Sequence, residues 1–181
     1  LGDGGAGIQG GAGSTSEPGA VYLFSFTSDK FDGANLEAIL GSGYGTYGNA
    51  NGKNISVALD TLGPSADGFT GDQFGATVAL DGNRLAVGAW VDDGAANNVV
   101  NSGAVHLFTF ADNQFTGGAH VGTIGSGYSG SKNINVSLDG AVSDSGGVRS
   151  GGDFFGTGLA FDKSGNGNRL LVGAVGDDGF G

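Results

Sequence analysis

Two pairs of adjacent carboxylates are the residues of this sequence whose type and spacing could do chemistry. Asp92-Asp93-Gly94 and Asp177-Asp178-Gly179 follow two closely similar apolar segments, and Asp3 occupies the corresponding place near residue 1. Ca²⁺ takes roughly six to eight oxygen ligands, several of them carboxylates. The pairs could therefore bind Ca²⁺ between neighbouring structural units, or they could be turn residues that expose an acidic edge to water. The residues alone leave both interpretations open.

The two histidines do not form a recognisable catalytic or metal-binding motif. His106 takes the place of Tyr22 in a segment that occurs twice, and His120 stands at an unrelated position. We expect His106 to serve packing or the polarity of one strand face. No Ser/His/Asp order, no His-x-x-x-His pair and no glycine-rich phosphate loop before a helix is present in the sequence. The sequence therefore predicts a protein that is not an enzyme.

The composition indicates short strands joined by tight turns. Glycine accounts for 41 of the 181 residues and proline for only 2, while 38% of the residues are apolar. The glycines lie between short apolar runs instead of at every third position, which excludes a collagen-like chain. We expect an all-β protein without a long helix.

The charge balance excludes several classes of partner. Eighteen acidic residues against seven basic ones give a net charge of −11, which disfavours nucleic acid and anionic membrane surfaces. No apolar run approaches the ~20 residues of a membrane-spanning helix, so we expect no membrane insertion. Cysteine is absent, which excludes disulfides and thiolate metal sites.

A long segment of the sequence occurs twice. Residues 71–89 predict a strand, a tight Asp-Gly turn and a second strand, and residues 152–174 repeat this pattern; the last alanines, Ala89 and Ala174, are 174 − 89 = 85 positions apart. We predict tandem repeats of about 85 residues with about five short strands each, cut as a window from a longer array. The predicted divisions are a connector at 1–18, a first repeat at 19–102 and a second repeat at 103–181.

The strand that opens each predicted repeat is apolar on both faces. In residues 19–26, Tyr22 and Phe24 alternate with Val21 and Leu23. Since both faces carry apolar side chains, we expect the strand to be covered on both sides by neighbouring sheets. By contrast, residues 53–60 and their copy at 132–139 predict a strand with one face toward a core.

The repeated segment resembles a known family. Phe74-Gly75 and Phe155-Gly156 open the two hairpins, and Val87-Gly88-Ala89 and Val172-Gly173-Ala174 end them, before a Gly-Ala-Val strand. This order is similar to the FG-GAP repeat, whose family includes the blades of the integrin α-subunit propeller and repeats of very large secreted bacterial surface proteins.

The resemblance implies blades of a β-propeller, built as stacked antiparallel sheets. Trp90 and Val175 stand where the family motif has its proline, and residues 33–60 and 117–139 add a strand and loops to the usual four-stranded blade. A propeller closes with roughly four to eight blades. Two repeats leave open whether the array closes into a ring or continues as an open rod.

The resemblance also implies a possible calcium loop, since family members often carry Asp-x-Asp-x-Asp-Gly in this hairpin. Here the second copy offers oxygen atoms at alternate positions, from Asp162, Ser164, Asn166 and Asn168. Only Asp162 supplies a charge, so a long polar turn without a bound ion is the alternative. The matching Asp81-Gly82-Asn83 predicts a plain hairpin turn.

The function expected from these features is structural. We expect a non-enzymatic, extracellular or cell-surface protein, secreted by a bacterium, that forms part of a filament or adhesive array. Its partners would be neighbouring copies of itself, joined head to tail. The alternative is a closed propeller, stabilised by calcium, that binds a protein or glycan ligand on one rim.

Overall fold

Every element of regular structure in the described part of the chain is a β-strand. The computed structural model describes residues 18–46, 51–59, 71–140, 142–143, 149–162 and 168–179. The strands are β1 (Ala20–Ser25), β2 (Asn35–Gly41), β3 (Ile55–Ser56), β4 (Phe74–Asp81), β5 (Arg84–Ala89), β6 (Ala104–Thr109), β7 (Ala119–Gly125), β8 (Ile134–Asn135), β9 (Val142–Ser143), β10 (Arg149–Ser150), β11 (Phe155–Asp162) and β12 (Arg169–Ala174). The expectation of an all-β protein is confirmed. Among the described residues there is no helix that could span a membrane.

The strands form three main sheets and a short ribbon. The first sheet has the order β1-β2-β3, the second β4-β5-β6-β7-β8 and the third β11-β12, while β9 pairs only with β10. Neighbouring strands run antiparallel, except that β3 and β8 join their sheets parallel to β2 and β7. Hydrogen bonding crosses the predicted repeat boundary at 102/103, because β5 pairs with β6 along its whole length.

The pairing of the first sheet recurs residue for residue in the second. Ala20 faces Gly41 across β1 and β2, and Ala104 faces Gly125 across β6 and β7. Each pair shifts register at the same place, between Leu23/Phe24 and between Leu107/Phe108. The hairpins β4–β5 and β11–β12 likewise share one register and one irregularity.

The junctions between sheets also repeat. The Phe74 N–H donates to the carbonyl of Pro18 at 2.8 Å, and the Phe155 N–H donates to the carbonyl of Ser102 at 2.9 Å. Beside these bonds, Gly19 and Gly103 form isolated parallel bridges to the same two phenylalanines. A Cβ on Gly19 would lie 2.1 Å from the Phe74 carbonyl oxygen, so only glycine allows this approach.

The predicted third strand is much shorter than expected. Residues 53–60 and 132–139 each contribute only two strand residues, in β3 and β8. In each copy, an asparagine side chain accepts the backbone hydrogen bond that a strand residue would otherwise accept. Asn54 Oδ1 accepts from the Ile39 N–H, and Asn133 Oδ1 accepts from the Thr123 N–H, both at 2.8 Å. The predicted apolar face of the first copy is confirmed, since Val57 is buried in the core.

The main core lies between the first and second sheets. Its ring contacts include Phe74 with Phe108, with centroids 6.1 Å apart. The buried members of this core are Val21, Leu23, Ala38, Leu40, Val57, Phe74, Leu85, Val87, Ala89, Phe108, Phe110 and Phe115. A charged contact joins the same two sheets, because Lys53 pairs with Glu37 and also donates to the Gln114 carbonyl at 2.8 Å.

The second and third sheets pack through glycine. A Cβ on Gly88 would lie 2.2 Å from the Gly156 carbonyl oxygen, and the Thr77 hydroxyl donates to that same oxygen. Further along the interface, the Arg84 guanidinium lies 5.0 Å from the centroid of the Phe161 ring. The backbones of these two sheets therefore approach closely at one end and are separated by side chains at the other.

The expectation that the opening strand is covered on both faces is right for β6 and wrong for β1. In β6, His106 and Phe108 are only 2% and 1% exposed, whereas the equivalent Tyr22 and Phe24 in β1 are 46% and 47% exposed. The second sheet lies between the first and the third. Among the described residues, no sheet covers the Tyr22 face of β1.

Candidate functional site

The first predicted carboxylate pair organises the connection from β5 to β6. Asp92 Oδ1 accepts from the Gly94 N–H, and its Oδ2 accepts from the Tyr128 hydroxyl, each at 2.8 Å. Asp93 Oδ1 accepts from the Asn101 N–H at 2.8 Å. Both carboxylates hold the turn by hydrogen bonds, but Asp92 is buried, whereas the turn interpretation placed the pair at an edge exposed to water.

The second pair forms the same turn at the end of β12 in a more open setting. Asp177 Oδ1 accepts from the Gly179 N–H at 2.8 Å, while Asp178 is exposed. Nearby, the carboxylate of the buried Asp153 accepts from the Asp139 N–H at 2.8 Å. Burial raises the pKa of Asp153, and the charges of Asp177, Asp139 and Asp178 raise it further. This end of the third sheet therefore concentrates negative charge.

The described members of the predicted calcium loop pair with arginines. Asp162 Oδ2 accepts from Arg169 Nε at 2.6 Å, and Asn168 Oδ1 lies 3.5 Å from Arg84 Nη1. Ser164 and Asn166 lie outside the described residues. Over the part of the chain that is described, no three His, Cys, Asp or Glu side chains are placed to hold a metal ion together.

The two histidines, which the sequence did not connect, lie side by side in the second sheet. His106 Nδ1 lies 3.4 Å from His120 Nε2, and Thr123 Oγ1 lies 3.2 Å from each of these nitrogens. The rings are held by aromatic neighbours: Phe74 contacts His106 and Phe108 contacts His120, with centroids 5.4 and 5.1 Å apart. The irregularity of the β6–β7 pairing produces this arrangement by bringing position 120 opposite Phe108.

The second ring nitrogen of His106 faces the carboxylate turn. Nε2 is buried, lies 4.0 Å from Asp92 Oδ2 and has no hydrogen-bond partner within the described structure. Burial lowers the pKa of His106 to about 3, with a smaller contribution from His120. The partial loss of water around the His120 ring also lowers its pKa, although much of the residue is exposed. Both imidazoles are therefore neutral at pH 7.

The cluster opens to solvent through a crevice. The crevice has a volume of about 320 Å³ and reaches both histidines, Thr123 and Tyr128; Ala58, which follows β3, also lines it. Burial raises the pKa of Tyr128, and the neighbouring Asp92 carboxylate raises it further, so the phenol stays protonated and donates to that carboxylate. The phenol and the carboxylate form one hydrogen-bonded pair, and the two imidazoles and the Thr123 hydroxyl form a second polar cluster beside it.

Comparison with known protein families supports the resemblance found in the sequence. Residues 64–108 match the model of the FG-GAP repeat family. No curated protein and no solved structure matched this chain. The matched segment contains the hairpin β4–β5 and nearly all of β6, which are consecutive strands of the second sheet. The similarity of this chain to the FG-GAP repeat family is thereby confirmed over that hairpin and the strand that follows it.

Proposed function

We propose that this chain is part of a non-enzymatic, extracellular structural or adhesive array. In this array, propeller-like units with a sequence period of about 85 residues stack face to face and continue head to tail. The similarity to FG-GAP repeats supports an extracellular binding or structural role. The repeated strand registers of the first and second sheets support the tandem units.

The single observation that carries the proposal is that the two open faces are equivalent to faces that pack together inside the molecule. The exposed Tyr22 and Phe24 face of β1 corresponds to the face of β6 that packs on the first sheet. At the other end, the exposed Leu171 and the half-buried Gly173 of β12 correspond to Ala86 and Gly88 of β5, which face the third sheet. Another unit of the same kind could therefore dock on either end.

The experiment uses the glycine at the open end. A Cβ on Gly173 meets nothing closer than 3.6 Å in this chain, whereas a Cβ on the equivalent Gly88 would meet the neighbouring backbone at 2.2 Å. The variant Gly173→Val should therefore leave the folded chain intact and block the next unit from docking. A matched control is Asp29→Asn, in the exposed turn between β1 and β2, which does not contact the open face of β12 in this chain.

Electron microscopy and sedimentation velocity give the readout. We expect end-to-end particles or fibres for the unmodified chain and for Asp29→Asn, and single particles for Gly173→Val. A monomeric unmodified chain at all concentrations would contradict head-to-tail assembly. Discrete rings would favour the alternative, a closed propeller that binds a protein or glycan ligand on one rim.

The carboxylates at the end of the third sheet are a second place where a ligand could bind. We propose that Asp177 and Asp178 bind Ca²⁺ together with oxygen ligands of a neighbouring unit, because both side chains are exposed at the end of the third sheet and Ca²⁺ needs more ligands than these two supply. The thermal midpoint should then rise when Ca²⁺ replaces a chelator, and this rise should disappear in Asp178→Asn. Identical midpoints in Ca²⁺ and in chelator would contradict calcium binding.

A further inference from the structure

Three potential metal-ligand atoms converge beside the crevice of the second sheet. They are His106 Nδ1, His120 Nε2 and Thr123 Oγ1, and the sides of the triangle they form are 3.4, 3.2 and 3.2 Å. Zn²⁺ binds imidazole nitrogen at about 2.0–2.1 Å in tetrahedral geometry, which places neighbouring ligand atoms about 3.3 Å apart. The triangle therefore has the size of one face of a tetrahedral metal site.

Each histidine can direct a lone pair into this triangle. A neutral imidazole carries one N–H, and its other ring nitrogen is an acceptor that can bind a metal ion. Nδ1 of His106 and Nε2 of His120 are the ring nitrogens that face each other and Thr123 Oγ1. With the proton of each ring on its other nitrogen, both lone pairs are directed at the same point.

We propose that His106, His120 and Thr123 form a binding site for a first-row transition-metal dication of the Zn²⁺ class. Two imidazoles and a hydroxyl would supply three ligands, and water from the crevice would supply the fourth. Imidazole ligands favour zinc, copper and nickel over calcium and magnesium. This site is therefore chemically distinct from the carboxylates at the end of the third sheet.

The surroundings have the features that such a site needs. A histidine that binds a metal usually directs its other ring nitrogen toward a carboxylate or carbonyl. His106 Nε2 faces Asp92, which the Tyr128 hydroxyl and the Gly94 N–H hold in place. The metal would lie near the boundary between the first and second sheets, where Ala58 lines the crevice.

The equivalent positions of the first sheet show which residues can replace the two histidines in test variants. Tyr22 stands at the position of His106, and the registers place Leu36 at the position of His120. His120→Leu is the principal variant because His120 is exposed, so the fold should tolerate the change. Asp177→Asn/Asp178→Asn is the matched control, since it removes carboxylates from the other candidate cation site.

The test is calorimetric titration of the 181-residue chain with Zn²⁺, together with the visible spectrum of the Co²⁺-loaded chain. We expect one Zn²⁺ per chain and the absorption bands of tetrahedral Co²⁺. Loss of an outer partner of a metal-binding histidine weakens binding about 10–100-fold, so removing the ligand in His120→Leu should weaken it at least as much. The aspartate control should bind normally.

Three results would overturn the proposal. They are no stoichiometric Zn²⁺ binding to the unmodified chain, equal binding by His120→Leu, and loss of binding in the aspartate control. The circular-dichroism spectrum of each variant is compared first, so that unfolding is not mistaken for loss of a ligand. If His120→Leu is misfolded, His106→Tyr replaces it with the residue that the first sheet already uses.

Discussion

Strands β1 and β6 share a register, a bulge and a partner geometry, yet their outer faces have opposite environments. Tyr22 and Phe24 face solvent in β1, whereas His106 and Phe108 are buried in β6. The difference follows from the neighbours, because β6 belongs to the middle sheet and β1 to an end sheet. The sequence of such a strand therefore supplies an apolar face, and the presence of an adjacent sheet determines whether that face is buried.

The largest expected effect comes from removing a phenylalanine at the same position of the two strands. Phe108→Ala should destabilise the chain by about 3–5 kcal/mol, because it leaves a cavity between the first two sheets. Phe24→Ala removes a half-exposed ring and should cost less than about 1 kcal/mol. Urea unfolding measures both values. Equal costs would show that the two faces are not differently buried in solution.

The next effect tests the glycine contact between sheets. Gly88→Ala should cost about 1–3 kcal/mol, because the new Cβ meets the backbone of Gly156 and the sheets must separate. Gly173→Ala, at the equivalent open position, should be neutral or slightly stabilising. The free energies of unfolding of the two variants are compared by urea denaturation. A neutral Gly88→Ala would contradict the close approach of the second and third sheets.

Lowering the pH should destabilise the chain through His106 in β6, whereas the equivalent Tyr22 in β1 does not take up a proton. The pKa of His106 is about 3 in the folded chain and near 6.5 when unfolded, so the unfolded state takes up a proton that the folded state excludes. The contribution of the neutral His106 to the free energy of unfolding is complete above about pH 6.5 and is lost as the pH falls toward 3. It amounts to about 1.4 kcal/mol for each unit by which the two pKa values differ. Acid titrations in EDTA should therefore show that His106→Tyr unfolds at lower pH than the unmodified chain.

Glu37 would limit the gain in acid stability of His106→Tyr, because the stability that the ionised Glu37 contributes is also lost in acid. Hydrogen bonds from Lys53, Ser25 and Asn35 lower the pKa of Glu37 to about 2, so its contribution is lost as the pH falls from about 4.5 toward 2. The difference between the two chains should accordingly appear above pH 4.5. Identical titrations down to that pH would contradict a buried neutral His106.

The smallest effect concerns the arginines that begin β5 and β12. Arg84 pairs with Asp81 and lies over Phe161, while Arg169 pairs with Asp162 and its side chain is 75% exposed. Arg84→Ala should cost about 0.5–1 kcal/mol through the lost cation–π contact, and Arg169→Ala less. Chemical denaturation of the two variants in parallel checks the order. A larger cost for Arg169→Ala would contradict the packing of Arg84 on the third sheet.

Much of the fold could be predicted because glycine turns and alternating apolar residues are local signals. The hairpins at 71–89 and 152–174 and the opening strands within 19–26 and 103–110 lie where the pattern placed them. The third strand was overestimated, since the pattern does not show that the Asn54 side chain accepts the backbone bond that a strand residue would otherwise accept. The exposure of Tyr22 and Phe24 was missed because it depends on sheets that are distant in the sequence.

The candidate sites also differ in whether local sequence or long-range packing specifies them. The Asp-Asp-Gly sequence of Asp92 and Asp93 left a turn and an ion site open; their hydrogen bonds fit the turn, but the burial of Asp92 could not be read from the sequence. The pairing of His106 with His120 could not, because it needs the register of β6 against β7 and the irregularity within it. The replacement of Tyr22 and Leu36 by histidine in the second copy was the only signal available.

An acidic, cysteine-free, all-β chain follows from signals that act over a few neighbouring residues, since glycine-rich turns and repeated apolar strands specify each sheet locally. Which faces are buried, which glycines touch another backbone and which polar side chains meet depend on the folded chain as a whole. These outcomes depend on the stacking of one sheet on another, since desolvation and close contact arise only when residues far apart in the chain occupy adjacent positions in space.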